Sequence, residues 1–435
     1  MTPGPPELIS SDANLDPLAF LGGLIDHHGH AVRYQTRFGP CLFFAHPDHV
    51  QHILQHDLYR RASLVKMALG DGLLASDGPH WKSQRRLMQR DFLPRNISPF
   101  VTTMGTETAT LAAAWRNAAR AGTTVDVTTD MTRLTLHIVV RTLFSNDLSP
   151  QSAASLCNAV TQVINELGKI SWTIFGVPVS ITPAGNANFS AARKLIDDLC
   201  HEMIARRRAL APGDRPPDLL TLLIGAETAH GPMSDLQLRD EMVTMLVGGH
   251  ETTALALAWA WKALAEHPEV EARLIDELHT VLGGRPPGLE DVPRLRWTRA
   301  IFDETCRLFP PVWYMARVAT ADDVIDGHAV PRGASILISA WFTHRHQEFW
   351  SDAERFDPER FRDRPQPAHQ YAYFPFGGGR HRCLGVHFAL LEAVVILAQL
   401  AQQFQVRPVN AAGIRPHPGI TLRQQPGMSA EIAQR

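Results

Sequence analysis

The stretch MSDLQLRDEMVTMLVGGHETTALALAWAWKALAEHP, at residues 233–268, constrains the fold more than any other part of this chain. Its apolar residues recur with helical periodicity, and Ser234 or Asp235 can cap the start of a helix that continues to Pro268. Because the middle of this helix is almost entirely apolar, it must run through the core of the protein. The stretch therefore predicts a helical fold built around one long buried helix.

The rest of the chain adds more helix and a smaller amount of strand. Helical periodicity dominates residues 80–310. Strand-like patterns flank this region: a hairpin around Gly39-Pro40, followed by a helix that opens at Pro47, and an alternating segment at 313–345. The predicted fold class is mainly α, with a small β-rich subdomain assembled from both ends of the chain.

The composition is that of a globular protein with a large core, since 45% of the 435 residues are apolar and 20% are charged. The length allows one large domain or several ordinary ones. Because the strand patterns come from both ends of the chain, we expect a single domain over residues 17–435, after a loose, Pro-rich segment at 1–16.

The charge balance and the cysteines exclude several classes of protein. With 42 basic and 44 acidic residues, the chain gives no reason to expect a nucleic-acid partner. The five cysteines are scattered, without a CxxC pair, which argues against a disulfide framework or a zinc knuckle. No secretory signal and no stretch of about 18 uncharged apolar residues is present. We therefore expect a soluble, cytoplasmic protein with no membrane span.

The sequence FPFGGGRHRCLGVHFALLEAVVILA, at residues 374–398, surrounds one cysteine with glycines and cations. The glycines at 377–379 permit positive φ angles and let another body approach the backbone. Cys383 stands where the following helix begins, so unpaired amides and the cations at 380–382 can favour its thiolate. A lone cysteine is more often structural, but this combination favours a loop that binds a flat, anionic group through sulfur.

The segment GGHETT, at residues 248–253, lies in the middle of the long helix. Gly248 and Gly249 each cost about 1 kcal/mol relative to alanine in a helix interior, which indicates that another body packs against the bare backbone or that the helix is locally widened. Glu251 and Thr252 place an acid beside an alcohol, as a proton relay requires. The alternative is a kinked core helix with a capped polar patch.

Two further motifs supply ion-pairing groups. ETCRLFPP places Glu304 and Arg307 one helical turn apart, and FDPERF supplies Arg360 as a third member. An ordinary surface ion pair is the alternative.

HWKSQRR places Trp81 and Arg85 on one helix face, where an indole N–H and a guanidinium suit a carboxylate or propionate. Arg317, beyond PPVWYMA, is another candidate that faces inward. A solvated basic helix and a structural salt bridge are the respective alternatives.

The motifs resemble those of the cytochrome P450 family and follow one another along the chain in that family's order, over roughly residues 80–400. The family's haem loop, Phe-x-x-Gly-x-(Arg/His)-x-Cys-x-Gly, is matched by Phe376, Gly379, His381, Cys383 and Gly385. Its Glu-x-x-Arg, oxygen-activating and propionate-binding helices are matched at 304–307, 248–253 and 81–85. Many members have arginine where this chain has His381.

The resemblance implies a haem b whose iron is held by the Cys383 thiolate, which favours cleavage of the O–O bond, and a haem-binding core at about 235–400. Phe376 would screen the sulfur from water. The groups that would neutralise the haem propionates are Trp81, Arg85, Arg317 and His381. Gly248 and Gly249 would let the long helix approach the porphyrin, and Glu251 and Thr252 would supply protons to dioxygen. Glu304, Arg307 and Arg360 would brace the scaffold.

The segments that contact substrate in the family are apolar here. The aromatic and apolar candidates for the pocket are Trp172, Phe175, Val312, Trp313, Tyr314 and Met315, although each could instead be an ordinary core residue. We expect a hydrophobic small-molecule substrate of the terpenoid, fatty acid, steroid or polyketide class.

No flavin or iron–sulfur extension follows residue 410, so electrons are expected from a separate ferredoxin or flavodoxin with its reductase. A basic face made by Lys82, Arg86, Arg90, Arg380 and Arg382 is a candidate docking surface on a monomer. A monooxygenase is favoured over a peroxygenase or isomerising enzyme, because those tend to lose the acid–alcohol pair. A non-catalytic haem-thiolate sensor or binding protein is a third possibility, since it could keep the same cysteine loop.

Overall fold

The computed structural model describes residues 16–36, 39–61, 65–146, 149–171, 187–228, 231–363 and 368–435. Helices dominate these residues, as predicted. The α-helices are α1 (Pro17–His28), α2 (Pro47–Gln55), α3 (Lys66–Leu69), α4 (Gly78–Met88), α5 (Pro94–Ile97), α6 (Val101–Ala121), α7 (Val127–Phe144), α8 (Pro150–Ser171), α9 (Ala187–Ala209), α10 (Leu219–Ile224), α11 (Asp235–Glu266), α12 (Pro268–Leu282), α13 (Arg296–Leu308), α14 (Ala340–Thr343), α15 (Glu359–Arg362) and α16 (Val386–Ala401). Among the described residues, no helix combines the length and apolar character needed to cross a membrane.

The strands are short and come mainly from the two ends of the chain. They are β1 (Ala31–Thr36), β2 (Gly39–Phe44), β3 (Tyr59–Arg61), β4 (Val125–Asp126), β5 (Glu227–Thr228), β6 (Gly231–Pro232), β7 (Met315–Ala319), β8 (Asp323–Ile325), β9 (His328–Val330), β10 (Ser335–Ile338), β11 (Phe404–Pro408), β12 (Arg415–Pro418), β13 (Leu422–Gln425) and β14 (Ser429–Gln434). The predicted fold class, mainly α with a small β-rich part, is confirmed.

The long helix predicted from the sequence is α11, a continuous helix of 32 residues. Ser234 caps it, because its Oγ accepts a hydrogen bond from the Gln237 N–H at 3.2 Å. The helix ends at Glu266, just before Pro268, whose ring cannot continue it. Helix α11 packs against α7, α9, α13 and α16, so the predicted position in the core is confirmed.

The main sheet joins the N-terminal hairpin to strands that follow α13. Its strand order is β1-β2-β10-β7-β3. The hairpin predicted around Gly39-Pro40 is present as β1–β2, but these two residues belong to β2 itself, where Gly39 pairs with Thr36. Helix α2 then begins at Pro47, and the Nδ1 atom of His46 accepts the N–H of Asp48 at its N-terminus. At the C-terminal end of the chain, the β12–β13 hairpin packs against α11.

Candidate functional site

A cavity of about 430 Å³ lies between the middle of α11 and the loop that carries Cys383. Most of its wall is apolar: α7 contributes Val139 and Leu143, and α8 contributes Ile164 and Leu167. The remaining wall carries polar groups: arginine side chains, the carboxylate of Glu251, and hydroxyl groups that include those of Thr252 and Thr421. A cavity with this lining can hold a large apolar molecule beside an anionic one.

The cysteine loop folds back on itself. The Cys383 N–H donates a hydrogen bond to the Phe376 carbonyl at 2.9 Å, and the Gly377 N–H donates to the Phe374 carbonyl at 2.8 Å. Gly377 and Gly379 have φ angles of 67° and 59°, which residues with a Cβ adopt only at a cost. Two of the three consecutive glycines therefore have the positive φ that the sequence suggested.

The glycines also allow the loop to pack closely on the protein itself. A Cβ at Gly379 would lie 1.9 Å from the carbonyl oxygen of Leu54, near the end of α2. A Cβ at Gly378 would lie 2.4 Å from the Tyr371 ring. The expectation that this run of glycines leaves space for a bound group is thus wrong for these two positions, whereas Gly377 lines the cavity.

Cys383 faces the cavity and is surrounded by groups that favour a negative sulfur. Burial raises the pKa of its thiol, while a hydrogen bond from the Gly385 N–H and the charges of Arg85, Arg382 and Arg61 act in the opposite direction. These groups would stabilise a thiolate once a cation binds the sulfur.

Two arginines face each other across paired strands beside this loop. Arg61 on β3 lies opposite Arg317 on β7, and both line the cavity. Burial and neighbouring arginine charges lower the pKa of each to about 10. Since like charges opposite one another destabilise a sheet, this pair is suited to an anionic group in the cavity. Arg61 belongs to none of the sequence motifs and was not predicted.

Helix α4 brings two predicted residues to the same region, where both line the cavity. The Trp81 ring packs edge-on against the ring of His381, with 4.4 Å between centroids. Arg85 donates from Nη1 to the Arg382 carbonyl at 2.9 Å. Burial and nearby arginines lower the pKa of His381 to about 3, and its Nε2 lies 3.2 Å from Asp77 Oδ1. Burial therefore favours the neutral form of the His381 ring, which can still offer a hydrogen bond to an anionic group.

On the opposite wall, Gly248, Gly249 and Thr252 line the cavity from α11, which remains a regular α-helix here. Thr252 donates from Oγ1 to the Gly248 carbonyl at 3.0 Å. A Cβ at Gly248 would meet none of the described atoms within 4 Å, whereas one at Gly249 would lie 3.0 Å from Val139 Cγ2. Gly248 thus borders open space, and Gly249 allows α7 and α11 to pack closely.

Glu251 is held by two residues that no motif predicted. Its Oε1 accepts hydrogen bonds from Thr421 Oγ1 at 2.8 Å and from Arg423 Nη2 and Nε at 2.5 and 3.1 Å. The carboxylate side chain is only 5% exposed, and both Glu251 and Thr421 line the cavity. The β12–β13 hairpin therefore fixes the acid that precedes Thr252.

The predicted triad of Glu304, Arg307 and Arg360 is assembled in the core. Arg307 donates from Nε and Nη2 to the two carboxylate oxygens of Glu304 at 2.7 and 2.8 Å. Arg360 Nε lies 3.5 Å from Glu304 Oε1. Arg307 also donates to three backbone carbonyls between residues 344 and 355. The triad ties α13 to the segment that follows α14 and does not line the cavity.

The loop at residues 70–75 is tied to α11 by two acids, which the sequence did not indicate as functional. The Asp71 N–H donates to Asp240 Oδ2 at 2.7 Å, and the Leu73 N–H donates to Glu241 Oε2 at 2.9 Å. Burial raises the pKa of Glu241 to about 8. This loop forms part of the cavity wall through Leu73 and Leu74.

Three of the predicted substrate-pocket residues, Val312, Tyr314 and Met315, line the cavity. Trp313 does not, and its prediction is corrected: it is buried in a separate apolar cluster, and its Nε1 donates to the Gly419 carbonyl at 2.8 Å. Its indole is taken up by the cluster that it forms with residues of the N-terminal hairpin and β10, among them Tyr34, Phe43 and Leu337. Trp172 and Phe175 lie outside the described residues.

The cytochrome P450 family model matches residues 20–429. The chain belongs to the cytochrome P450 family. It is 34% identical over 418 residues to cyclooctatin synthase of Streptomyces melanosporofaciens, which covers 94% of this chain and 90% of that relative. Cyclooctat-9-en-7-ol 5-monooxygenase of the same organism is 34% identical (93% and 87% covered), and pentalenene oxygenase of Streptomyces avermitilis is 31% identical (92% and 89% covered).

Cytochromes P450 are haem-thiolate monooxygenases, so this chain is a monooxygenase whose cofactor is a haem with a cysteine ligand. The family also implies a hydrophobic substrate and redox partners that supply electrons. The cavity fits a haem: Cys383 faces it, Gly248 borders open space in it, and the paired Arg61 and Arg317 in its wall suit the two carboxylates of such a group.

Proposed function

We propose that this P450 hydroxylates a cyclic terpenoid, either a hydrocarbon or an alcohol derived from it. The observation that carries this proposal is the apolar wall of the cavity, to which Leu73, Phe92, Leu143, Ile164 and Ile420 contribute. Such a wall binds its ligand through burial of apolar surface, about 25 cal/mol per Å². The relatives named for cyclooctat-9-en-7-ol and pentalenene support this choice among the four expected substrate classes.

The proposed cofactor contacts follow from the cavity. Cys383 would hold the iron of a haem b, with Phe376 beside the sulfur. The proposed propionate partners are Trp81, Arg85, Arg317 and His381, with Arg61 added on the basis of its position opposite Arg317. When bound, the haem supplies the activation of dioxygen. The proposed role of Glu304, Arg307 and Arg360 is to brace this side of the fold.

Thr252 and Glu251 are the proposed proton donors. The hydrogen bond from Thr252 to the Gly248 carbonyl keeps the hydroxyl at the cavity wall. Glu251, held by Arg423 and Thr421, lies next in the sequence and would return a proton to this wall after each transfer. A buried acid that is fixed beside an alcohol suits general acid catalysis.

We propose that a ferredoxin or flavodoxin delivers the electrons to the monomer at the basic face. All five side chains of the face are exposed, and Arg380 also pairs with Asp57 at 2.7 Å. The contact between Arg85 and the Arg382 carbonyl joins helix α4, which carries two of these residues, to the cysteine loop. An acidic carrier docked there would lie on the sulfur side of the cavity.

The proposal is tested by carbon monoxide difference spectroscopy of the reduced protein, followed by product analysis with terpenoid hydrocarbons and their alcohols. A thiolate band that disappears in Cys383→Ser, together with a hydroxylated product that requires an electron carrier and dioxygen, is the expected result. Product formation that needs only peroxide would favour a peroxygenase, and a thiolate band without any oxidised product would favour a sensor. A thiolate band in Cys383→Ser would overturn the assignment of the ligand.

A further inference from the structure

Three side chains outside the cavity bring metal-binding atoms together. His46 precedes α2, while His346 and Glu348 follow α14, and their ligand atoms all lie within 4.8 Å of one another. His46 Nε2 is 3.6 Å from Glu348 Oε2. In a tetrahedral zinc site with bonds of about 2.1 Å, neighbouring ligand atoms are roughly 3.4 Å apart, so this pair already has nearly the required spacing.

The ring of His346 supplies an independent observation. Its side chain is buried, with 8% of the residue exposed, and within the described part of the chain neither ring nitrogen has a hydrogen-bond partner. Burial of polar atoms without partners is unfavourable, and such atoms in a native protein indicate a missing ion or water. The ring of His30 packs against that of His346 at a tilt of 36°, with 4.1 Å between centroids.

The two imidazole rings of the cluster already lie together. The centroids of the His46 and His346 rings are 5.0 Å apart and the rings are nearly perpendicular. His46 Nδ1 accepts the N–H of Asp48 at the start of α2. Metal binding through Nε2 would move the ring proton to Nδ1 and replace this hydrogen bond by one from Nδ1–H to Asp48 Oδ2, which lies 3.5 Å away.

We propose that His46 Nε2, one ring nitrogen of His346 and the carboxylate of Glu348 bind a zinc ion, with water as the fourth ligand. Imidazole nitrogens favour zinc over magnesium or calcium, which prefer oxygen ligands. Glu348 is exposed, so its side chain can rotate to close the remaining distance. The ion would join the N-terminus of α2 to the segment after α14, and its role would be structural, because none of its ligands lines the cavity.

The test uses the haem-loaded protein, stripped of loose metal with a chelator and titrated calorimetrically with zinc chloride. Elemental analysis after dialysis then gives zinc per haem iron. Glu348→Gln and His46→Gln are the test variants. A double variant, His27→Gln with His28→Gln, is the matched control, because it removes two imidazoles at the end of α1, outside the cluster.

We expect one zinc per iron in the natural chain and in the control, with affinity lower on the order of tenfold or more in each test variant. We also expect zinc to raise the thermal midpoint of the natural chain and of the control only. Equal zinc affinity in the natural chain and Glu348→Gln would overturn the proposal, as would uptake that falls only in the control. Because Glu348 is exposed, this variant should fold whatever the outcome.

Discussion

Arg423 grips the carboxylate of Glu251 with both Nε and Nη2, although 172 residues separate them in the chain. The side chain of Glu251 is 5% exposed and that of Arg423 is 20% exposed. Thr421 donates to the same carboxylate oxygen, Oε1. The acid of the proposed proton path is therefore positioned by the C-terminal hairpin rather than by its own helix.

Removal of this cation should destabilise the protein. In Arg423→Gln, the buried carboxylate loses a charged donor, so the free energy of unfolding should fall by about 1–3 kcal/mol. Urea denaturation of the haem-loaded protein measures this, with Arg423→Lys as an intermediate case. Arg415→Gln, on the neighbouring strand, should change stability by less than about 0.5 kcal/mol. Equal losses in the two glutamine variants would contradict the assignment.

Loss of the Thr252 hydroxyl should uncouple electron use from product formation. In Thr252→Ala the Oγ1 that faces the cavity is absent, so we expect product per electron pair to fall by roughly tenfold or more, and peroxide to rise in its place. Both quantities can be measured in one reconstituted assay. Thr252→Ser keeps the hydroxyl and should recover most of the coupling. Unchanged coupling in the alanine variant would exclude this residue from the proton path.

The two adjacent glycines of α11 should respond differently to alanine. Gly248→Ala adds a methyl group in open space and should stabilise the helix by up to about 1 kcal/mol, while weakening the spin-state response to substrate. Gly249→Ala forces a methyl group against Val139, so it should be less stable than Gly248→Ala by about 1–3 kcal/mol. Urea denaturation of both variants measures this difference in the free energy of unfolding. Equal values would show that Val139 on α7 moves aside at little cost.

Glu241 should make stability depend on pH. Its pKa of about 8 in the folded protein lies above the ordinary value of 4.5, so the folded state retains a proton that the unfolded chain loses. As pH rises from about 4.5 to 8, the natural chain should lose stability relative to Glu241→Gln. The difference in denaturation midpoints should be constant below and above this window. Parallel curves across it would show that Glu241 ionises normally.

Charge reversal on the basic face should slow electron delivery. Arg86→Glu combined with Arg90→Glu should reduce the rate of reduction by an acidic ferredoxin by about tenfold at low salt, and flatten its salt dependence. Stopped-flow reduction measures both effects. Arg120→Glu, at the end of α6, makes outside the face the same charge change as either single variant, Arg86→Glu or Arg90→Glu, and should leave the rate near its original value. A similar loss in this control would point to net charge instead.

Local patterns in the sequence predicted what depends on neighbouring residues. The cap at Ser234, the presence of a hairpin near Gly39-Pro40, and the pairing of Glu304 with Arg307 all follow from patterns within a few residues. Contacts between distant segments had no such signal. Arg61 meets Arg317 through strand pairing, and Arg423 meets Glu251 through a hairpin near the end of the chain.

Some side-chain directions also escaped prediction. Trp313 was assigned to the pocket because its segment contacts substrate in the resembled family, but in the fold it belongs to a separate apolar cluster and donates to the Gly419 carbonyl. Gly378 and Gly379 were interpreted as space for a cofactor, because φ and clearance cannot be separated in a run of glycines. Their contacts with Tyr371 and Leu54 involve residues that no local pattern links to these glycines, so only the structure shows them.

Because Gly379 packs directly against Leu54, helix α2 supports the loop that carries Cys383. The helix has nine residues and is thus about 13 Å long, with His46 at one end and the cysteine loop seated on its other end. A change that tilts helix α2, even one made near His46, would move the Leu54 carbonyl against which the cysteine loop packs. The position of the cysteine loop therefore depends on helix α2, near the start of the chain, as well as on the loop's own residues.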